Sequence, residues 1–443
     1  MVRSVAAVAL VVALAAACGA PPADASPMRK GPYIQDVGPT SVEVMWQLGE
    51  PAAARLIVTR PDAATDAPRV LDVAPADVAT TRVDHLLPRT RYEYRVEVGG
   101  RSWSGEWTTA PRPGDDAALS LVVLGDSRDG AEVSHKLMMR ADELAPDLIL
   151  GTGDIVDDGA SESDWQEFFD SAGIALRHVA YYPALGNHER RGRREAPVGY
   201  RRYFSLPGGT ADYYSVSYGA TRVVMLDSTA LGAALTDETA WLDRELASAR
   251  HDATIRHIVV CMHHAMFSVG RHGGSPGLRD RWTPLFERAR VTMVISGHDH
   301  AYQRAEHGGV RYFVTGGGGA PLYAKSGSPA AADAQAVKMF ESAWHLLAVT
   351  IRDDRVEVTA LRVDGSTIET TGWVDDVAGA KHAAAVAAAS PAPAQAAGGG
   401  GGGDADLDDE APVGTTWLWL LVAAALCAVV GGALIRRDRR RQP

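Results

Sequence analysis

Carboxylate, amide and imidazole side chains follow five apolar runs of this 443-residue sequence. They are Asp126 in VVLGDSR, Asp154 in ILGTGDIVDDG, Asn187 and His188 in ALGNHE, His263 in VVCMHH, and His298 and His300 in VISGHDH. Extended backbone directs residues i and i+2 to one side, so His298 and His300 can face a common point. Alone, these two histidines fit a metal site or an ordinary polar loop. The five runs together favour a metal site.

From residue 118, apolar strands alternate with amphipathic helices. The strands include LSLVVLGDS, DLILGTGD, IRHIVVCMHH and VTMVISGHDH; the helices include EVSHKLMMRADELA, SDWQEFFDSAG, TDETAWLDRELASA and LRDRWTPLFERAR. This alternation predicts an α/β layered domain with parallel strands, to which two hairpin-like segments add antiparallel strands. Ligands of such sheets bind beyond the carboxyl ends of the strands, where the polar residues fall.

Residues 27–112 show a different pattern. SVEVMWQL, RLIVTR and RYEYRVEV alternate between apolar and polar residues, with Pro and Gly clusters between them. This pattern predicts an all-β sandwich with Trp46 in its core. APRPGDD then marks a domain boundary before the α/β domain, which we expect at 117–373.

Both ends of the chain resemble membrane-related segments. Residues 1–25 predict a secretory signal, with Ala23-Asp24-Ala25 as a cleavage site and Cys18 as an alternative lipidation site. Residues 416–435 predict a single transmembrane helix, and the basic tail at 436–443 is expected in the cytoplasm. A low-complexity Ala/Pro/Gly/acidic linker at 378–415 precedes the helix. The chain is therefore expected to be exported to a bacterial cell envelope. Its C-terminal segment either stays as a membrane anchor or is cleaved there as a sorting signal.

Composition excludes some partners. The formal net charge of −11 argues against nucleic-acid binding, which relies on clustered Lys and Arg. Of three cysteines, only Cys261 falls in the predicted folded part, so neither a disulfide framework nor a disulfide-linked partner is expected.

The ordered motifs GDxR, GDxxDDG, GNHE, MHH and GHDHAYQR resemble those of the calcineurin-like metallophosphoesterases, and the last resembles the purple acid phosphatase branch. The resemblance covers about residues 30–372. It implies an N-terminal fibronectin III-like sandwich beside an α-β-β-α metallophosphoesterase domain, in which two sheets are flanked by helices.

The resemblance also implies a dinuclear centre of Fe, Mn or Zn. Asp154 would bridge both ions, Asp126 and His300 would hold the first, and Asn187, His263 and His298 the second. A metal-bound hydroxide would then attack the phosphorus of a phosphomonoester. His188 would steady the phosphate or protonate the leaving oxygen.

Two positions depart from the family pattern. Arg128 stands where the wider superfamily often has a histidine, and we interpret it as a phosphate contact or a surface salt bridge. Asp157 replaces the tyrosine that colours the purple enzymes, so the protein is not expected to be purple. Asp157 either supplies an oxygen to the first ion or orients the catalytic histidine.

Two further histidines lie near the predicted site in the sequence. His272 follows His263 by nine residues and is either a substrate contact or an ordinary loop histidine. His264 is expected to face the opposite side of its strand from His263, behind the ligands.

The leading hypothesis is thus a secreted, membrane-tethered phosphomonoesterase acting on a small-molecule ester. A phosphodiesterase or nucleotidase would use the same metal centre. A surface-display or binding protein with a non-catalytic scaffold is the alternative from another class.

Overall fold

The computed structural model of the protein describes residues 28–63, 65–190, 196–208 and 212–389, with the backbone alone for 383–389. The predicted signal segment, the transmembrane helix at 416–435 and the basic tail lie outside these residues. Within them, none of the helices has the length and apolar character needed to cross a membrane.

The N-terminal region consists of two antiparallel sheets, as its alternating pattern predicts. One sheet contains β1 (Met28–Gln35), β2 (Val42–Leu48) and β5 (Val78–Val83). The other contains β3 (Ala54–Thr59), β4 (Arg69–Val73), β6 (Arg91–Val98) and β7 (Arg101–Thr108). Trp46 and Trp107, one from each sheet, are buried, which confirms Trp46 as a core residue.

The next part of the chain forms a six-stranded sheet in the order β10-β9-β8-β18-β19-β20. Its strands are β8 (Leu119–Leu124), β9 (Leu148–Gly151), β10 (Ala180–Pro183), β18 (His345–Arg352), β19 (Arg355–Arg362) and β20 (Thr367–Val374). The pairs β8–β9 and β9–β10 are parallel, so the chain leaves all three strands at the same edge of the sheet.

A second, seven-stranded sheet has the order β11-β12-β13-β14-β16-β15-β17. Its strands are β11 (Tyr214–Tyr218), β12 (Thr221–Met225), β13 (His257–Cys261), β14 (Met293–Ser296), β15 (Tyr302–His307), β16 (Val310–Thr315) and β17 (Val337–Glu341). Strands β12, β13, β14 and β16 are parallel. Both hairpin predictions are confirmed, as β11–β12 and β18–β19.

The described helices are α1 (Ala131–Leu144), α2 (Glu162–Leu176), α3 (Val198–Tyr203), α4 (Gly232–His251), α5 (Pro276–Arg288), α6 (Ala331–Ala336) and α7 (Asp376–Ala389). The four long helices predicted from periodicity correspond to α1, α2, α4 and α5. Helices α1 and α2 pack together on one side of the domain, and α4 and α5 pack together on the other.

Residues of β13 show how the layers are arranged. Val259 and Cys261 belong to the core that also contains Leu346 of the six-stranded sheet. Val260, which points the other way, belongs to a second core with Trp282 of α5. Because successive strand residues face opposite sides, the two sheets enclose one core and α4 and α5 cover the other face. This arrangement agrees with the predicted α-β-β-α layers.

The predicted linker begins too early, because residues 378–389 are part of α7. Asp375 accepts hydrogen bonds from the backbone N–H groups of Val377 and Ala378, both 3.1 Å, at the start of the helix. Its other oxygen accepts a 2.6 Å hydrogen bond from Thr292 Oγ1 just before β14 and lies 3.2 Å from His257 Nδ1, the first residue of β13. The alanine-rich composition that suggested a tether also has high helix propensity.

The N-terminal region covers the open edge of β10, an edge strand of the six-stranded sheet. Gln35 Nε2 donates a 3.3 Å hydrogen bond to the carbonyl of Tyr181, and the N–H of Val37 donates a 3.0 Å hydrogen bond to the hydroxyl of Tyr182. Buried Lys30 forms an ion pair with Glu162 at the start of α2. The contacts of Gln35 and Val37 fix β10, the strand that precedes the GNHE segment.

We predict that His345 makes the fold sensitive to mild acid. Burial lowers its pKa to about 4, whereas the unfolded chain titrates near 6.5. The unfolded state therefore binds the proton first, and stability falls as pH drops from about 6.5 towards 4. The variant His345→Asn keeps a donor for the carbonyl of Ala343. Between pH 7 and pH 5 its free energy of unfolding should fall by about 2 kcal/mol less than that of wild type.

Urea unfolding at both pH values, in the presence of a chelator, would measure this difference. His251→Asn, at an exposed histidine of α4, is the matched control. An identical loss of stability for His345→Asn and wild type would contradict the prediction.

Candidate metal centre

Three predicted ligands adopt the left-handed backbone conformation directly after a glycine at a strand exit. The φ angles are +57° at Asp126, +52° at Asp154 and +69° at His298. This conformation is uncommon for residues other than glycine, and such residues often occur at functional sites. It turns each side chain back towards the space beyond the strand ends.

Glycine is required before His298 by close packing. A Cβ atom on Gly297 would lie 2.3 Å from Asp126 Oδ2 and 2.5 Å from Thr152 Oγ1. The backbone N–H of His298 donates to both oxygens of Asp126, at 3.1 and 3.0 Å. Asp126 follows β8 and His298 follows β14, so this contact joins the exits of the two sheets.

Asp154, His263 and His298 form a group whose ligand atoms all lie within 4.8 Å of one another. His263 Nε2 lies 3.3 Å from Asp154 Oδ2 and 3.1 Å from His298 Nδ1. Asn187 extends the group, with its Oδ1 atom 3.2 Å from His263 Nε2. The structure thus brings together the four residues predicted to hold or bridge to the second ion.

These distances fit a bound transition metal. Ligand atoms about 2.1 Å from one ion in a tetrahedral arrangement lie roughly 3.4 Å apart. His263 Nδ1 lies 2.9 Å from the carbonyl of Thr152 and donates to it, which leaves Nε2 as the atom that can ligate a cation. Such a contact fixes the tautomer and ring orientation of metal-binding histidines.

Asp126 and His300 form a second pair at the same sheet edges. His300 Nε2 lies 3.5 Å from Asp126 Oδ1, and His300 Nδ1 donates a 2.7 Å hydrogen bond to the carbonyl of Pro321. The ring of His300 stacks on Tyr323, with centroids 4.0 Å apart. His300 is thus also oriented with Nε2 towards a carboxylate, as the predicted first ion requires.

Electrostatics keep two of these ligands, Asp154 and His298, in the form that binds a cation. Burial would raise the pKa of Asp154, but His263 and His188 hold that pKa well below its usual range. Burial and the neighbouring His263 hold the pKa of His298 well below normal, so its ring is neutral. Burial lowers the pKa of His263, but Asp154 outweighs it and raises that pKa to about 9. A cation among these groups would displace the His263 proton.

His188 lies beside this group and is held by Asp157. His188 Nδ1 is 2.7 Å from the carbonyl oxygen and 3.3 Å from the Oδ1 atom of Asp157. His188 Nε2 faces Asp154 Oδ2 at 3.9 Å. The carboxylate of Asp157 is half exposed and also pairs with Arg128 at 3.1 Å. Of the two roles left open for Asp157, the geometry favours orienting the histidine.

Arg128 and His272 each lie beside one member of the ligand group. Arg128 Nε is 3.8 Å from Asp154 Oδ2, and its side chain is largely buried. The ring of His272 lies 4.3 Å from that of His298. Asp299, buried between the two histidines of GHDH, accepts a 2.9 Å hydrogen bond from the backbone N–H of His272 and so fixes its loop.

Glu189 is a residue of the site that the sequence analysis missed. Its buried carboxylate accepts four backbone hydrogen bonds that join the GNHE and GDxxDDG loops. The donors are the N–H groups of Gly186 (2.6 Å), Asp154 (2.9 Å), Ile155 (2.7 Å) and Val156 (3.4 Å). In the sequence, only its position next to His188 pointed to the site. A side chain that accepts hydrogen bonds from backbone N–H groups cannot be identified from motif spacing.

Residues 119–302 match the calcineurin-like phosphoesterase family. An uncharacterized protein of Mycobacterium tuberculosis is 30% identical over 269 residues, which cover 51% of this chain and 51% of that protein. Purple acid phosphatase 7 of Arabidopsis thaliana is 26% identical over 57% of this chain and 85% of its own. The chain thus spans about half the length of its mycobacterial relative.

Two solved structures share the fold. The purple acid phosphatase PPD1 from yellow lupin (Lupinus luteus) seeds superposes with a TM-score of 0.68 at 16% identity, covering 78% of this chain and 74% of its own. PhoD superposes with a TM-score of 0.59 at 14% identity, covering 81% of this chain and 92% of its own. Both matches cover more of this chain than the family match.

We predict that Glu189→Gln weakens both the fold and the site. The new amide NH₂ would face backbone N–H groups, and each donor left unpaired costs about 1–3 kcal/mol. Urea unfolding would measure the loss, and elemental analysis would measure the metal content. Glu167→Gln, at an exposed position of α2, is the control. Wild-type stability in Glu189→Gln would show that these hydrogen bonds do not hold the loops.

Proposed function

We propose that this chain, which contains a calcineurin-like phosphoesterase domain, is a metal-dependent hydrolase of phosphate esters. The observation that carries the proposal is the convergence of Asp154, His263 and His298 at buried strand exits. Two relatives, purple acid phosphatase 7 of Arabidopsis thaliana and tartrate-resistant acid phosphatase type 5 of Mus musculus, are named acid phosphatases, which supports the same reaction class.

The site residues divide into two sets by what they can do. Asp126 and His300 would hold one ion, Asn187, His263 and His298 the other, and Asp154 would bridge them. When bound, the two ions would supply Lewis acidity for the phosphate and lower the pKa of the attacking water.

We assign His188 and Arg128 roles on the substrate. His188 donates from Nδ1 to the carbonyl of Asp157, so Nε2 is the atom that would deliver a proton to the leaving oxygen. The Arg128 guanidinium lies beside Asp154 and can donate to phosphate oxygens. His272, packed against His298, is placed to contact the organic part of the ester.

We further propose phosphomonoesters as substrates, because the relatives are named phosphatases. A diester or nucleotide substrate would use the same ligand set and is the second candidate. Fe, Mn and Zn all suit carboxylate and imidazole ligands.

Export and anchoring are part of the proposal but rest on sequence alone. The signal at 1–25 and the apolar segment at 416–435 support an extracytoplasmic enzyme tethered by its C-terminus.

Asp154→Asn tests the proposal most directly. We expect purified wild type to contain about two metal ions per chain and to hydrolyse a chromogenic monoester faster than a chromogenic diester. Asp154→Asn removes the bridging anion, so its turnover should fall by roughly a hundredfold or more. Elemental analysis and initial rates across pH measure both effects.

The control is Asp243→Asn on the exposed side of α4, which should behave as wild type. Faster diester hydrolysis would select the second candidate. Folded wild-type protein that stays metal-free and inert after addition of Fe, Mn or Zn would overturn the enzyme assignment in favour of a display or binding protein.

We also predict that Asp157→Asn lowers kcat roughly tenfold while metal content stays at the wild-type level. The reason is that the carboxylate orients His188 and contacts none of the six ligands. Asp129→Asn is the matched control, since Asp129 pairs with Arg128 without touching His188. Loss of one metal ion in Asp157→Asn would instead identify Asp157 as a ligand.

A further inference from the structure

His264 does not face away from the ligand group, and that expectation from the sequence is wrong. The chain has left β13 three residues earlier, so strand alternation no longer applies. The centroid of the His264 ring lies 4.5 Å from that of His298 and 5.1 Å from that of His263. His264 therefore packs against two of the predicted ligands.

Ser228 holds His264 at two points. The backbone N–H of His264 donates a 2.8 Å hydrogen bond to Ser228 Oγ, and His264 Nδ1 lies 3.0 Å from the same oxygen. Ser228 is buried in the loop that follows β12, the strand next to β13. One hydroxyl thus fixes both the backbone and the ring of His264.

The loop that carries Ser228 is itself fixed on both sides. The N–H of Asp227 donates a 2.8 Å hydrogen bond to Glu238 Oε1 of α4. The carboxylate of Asp227 accepts a 3.0 Å hydrogen bond from the N–H of Thr229 and a 2.6 Å hydrogen bond from Arg190 Nη2. Arg190 follows Glu189 directly, so the loop is also tied to the GNHE segment.

We propose that Ser228 and His264 are positioning residues for the metal centre, acting by holding the ring of His298 in its ligating orientation. The inference rests on the proposed function, because it takes His298 as a ligand. Among the contacts of His298, the Asp126 hydrogen bond fixes only its backbone. Its ring has one polar contact, Nδ1 with His263 Nε2 at 3.1 Å, and otherwise packs against imidazoles, His264 among them. Without His264 at one side, the ring gains rotational freedom and Nδ1 leaves the position beside His263.

The test is Zn²⁺ affinity of the full chain, measured by competition with a chromogenic chelator. Removing groups that orient ligands typically costs about 10–100-fold in metal affinity. We expect that loss in Ser228→Ala and in His264→Gln, with Ser228→Thr restoring most of the affinity through its hydroxyl. Because the two residues act as one unit, the double variant should bind no more weakly than His264→Gln. Far-ultraviolet circular dichroism checks that each variant is folded.

If folded His264→Gln binds Zn²⁺ as tightly as wild type, the inference is overturned, while the proposed metal centre stands. Strictly additive losses in the double variant would also overturn it, since the residues would then act separately. Wild type that binds none of Zn²⁺, Mn²⁺ and Fe²⁺ would instead overturn the proposed metal centre itself. Should Ser228→Ala fail to fold, His264→Gln and Ser228→Thr still decide the question.

Discussion

Hydrogen bonds that cross from one sheet to the other hold the site together. Asp126, at the end of the six-stranded sheet, accepts from the backbone of His298 at the end of the seven-stranded sheet. His263 donates in the opposite sense, to the carbonyl of Thr152. These buried polar contacts must form together, because an unpaired member would cost free energy. The contacts that fix the spacing of the two sheets therefore also fix the geometry of the ligands.

The charges of the site explain why the ligands need so much support around them. Asp126 and Asp154 are both buried, and carboxylates in such a position are stable only when paired or bound to cations. Imidazoles supply part of that pairing, and Glu189 and Asp299 fix the loops through backbone amides. The supporting residues do little chemistry themselves, but they keep flexible loops from relaxing away from one another.

Sequence reasoning located the strand exits because they combine an apolar run, a glycine and a ligating residue. The alternation of strands and helices predicted the α/β domain, and the family resemblance implied its two-sheet layers and the roles of Asp154, His263 and His298. Glu189, Ser228 and Asp299 escaped sequence reasoning, since their partners are backbone groups whose positions depend on the path of other loops. Asp157 stayed ambiguous because an aspartate can bind a metal or orient a histidine, and only its distance to His188 separates these roles. The sequence predicts a linker where α7 forms, because alanine composition alone does not reveal the Asp375 contacts that start the helix.

Helix α7 starts at the edge of the seven-stranded sheet where β13 and β14 begin, through Asp375, His257 and Thr292. The ligands His263 and His298 follow the opposite ends of these same strands. A label attached at the start of α7 would therefore lie at the opposite edge of the sheet from these ligands. Such a label would report on the folding of the sheet without touching the residues that would hold metal.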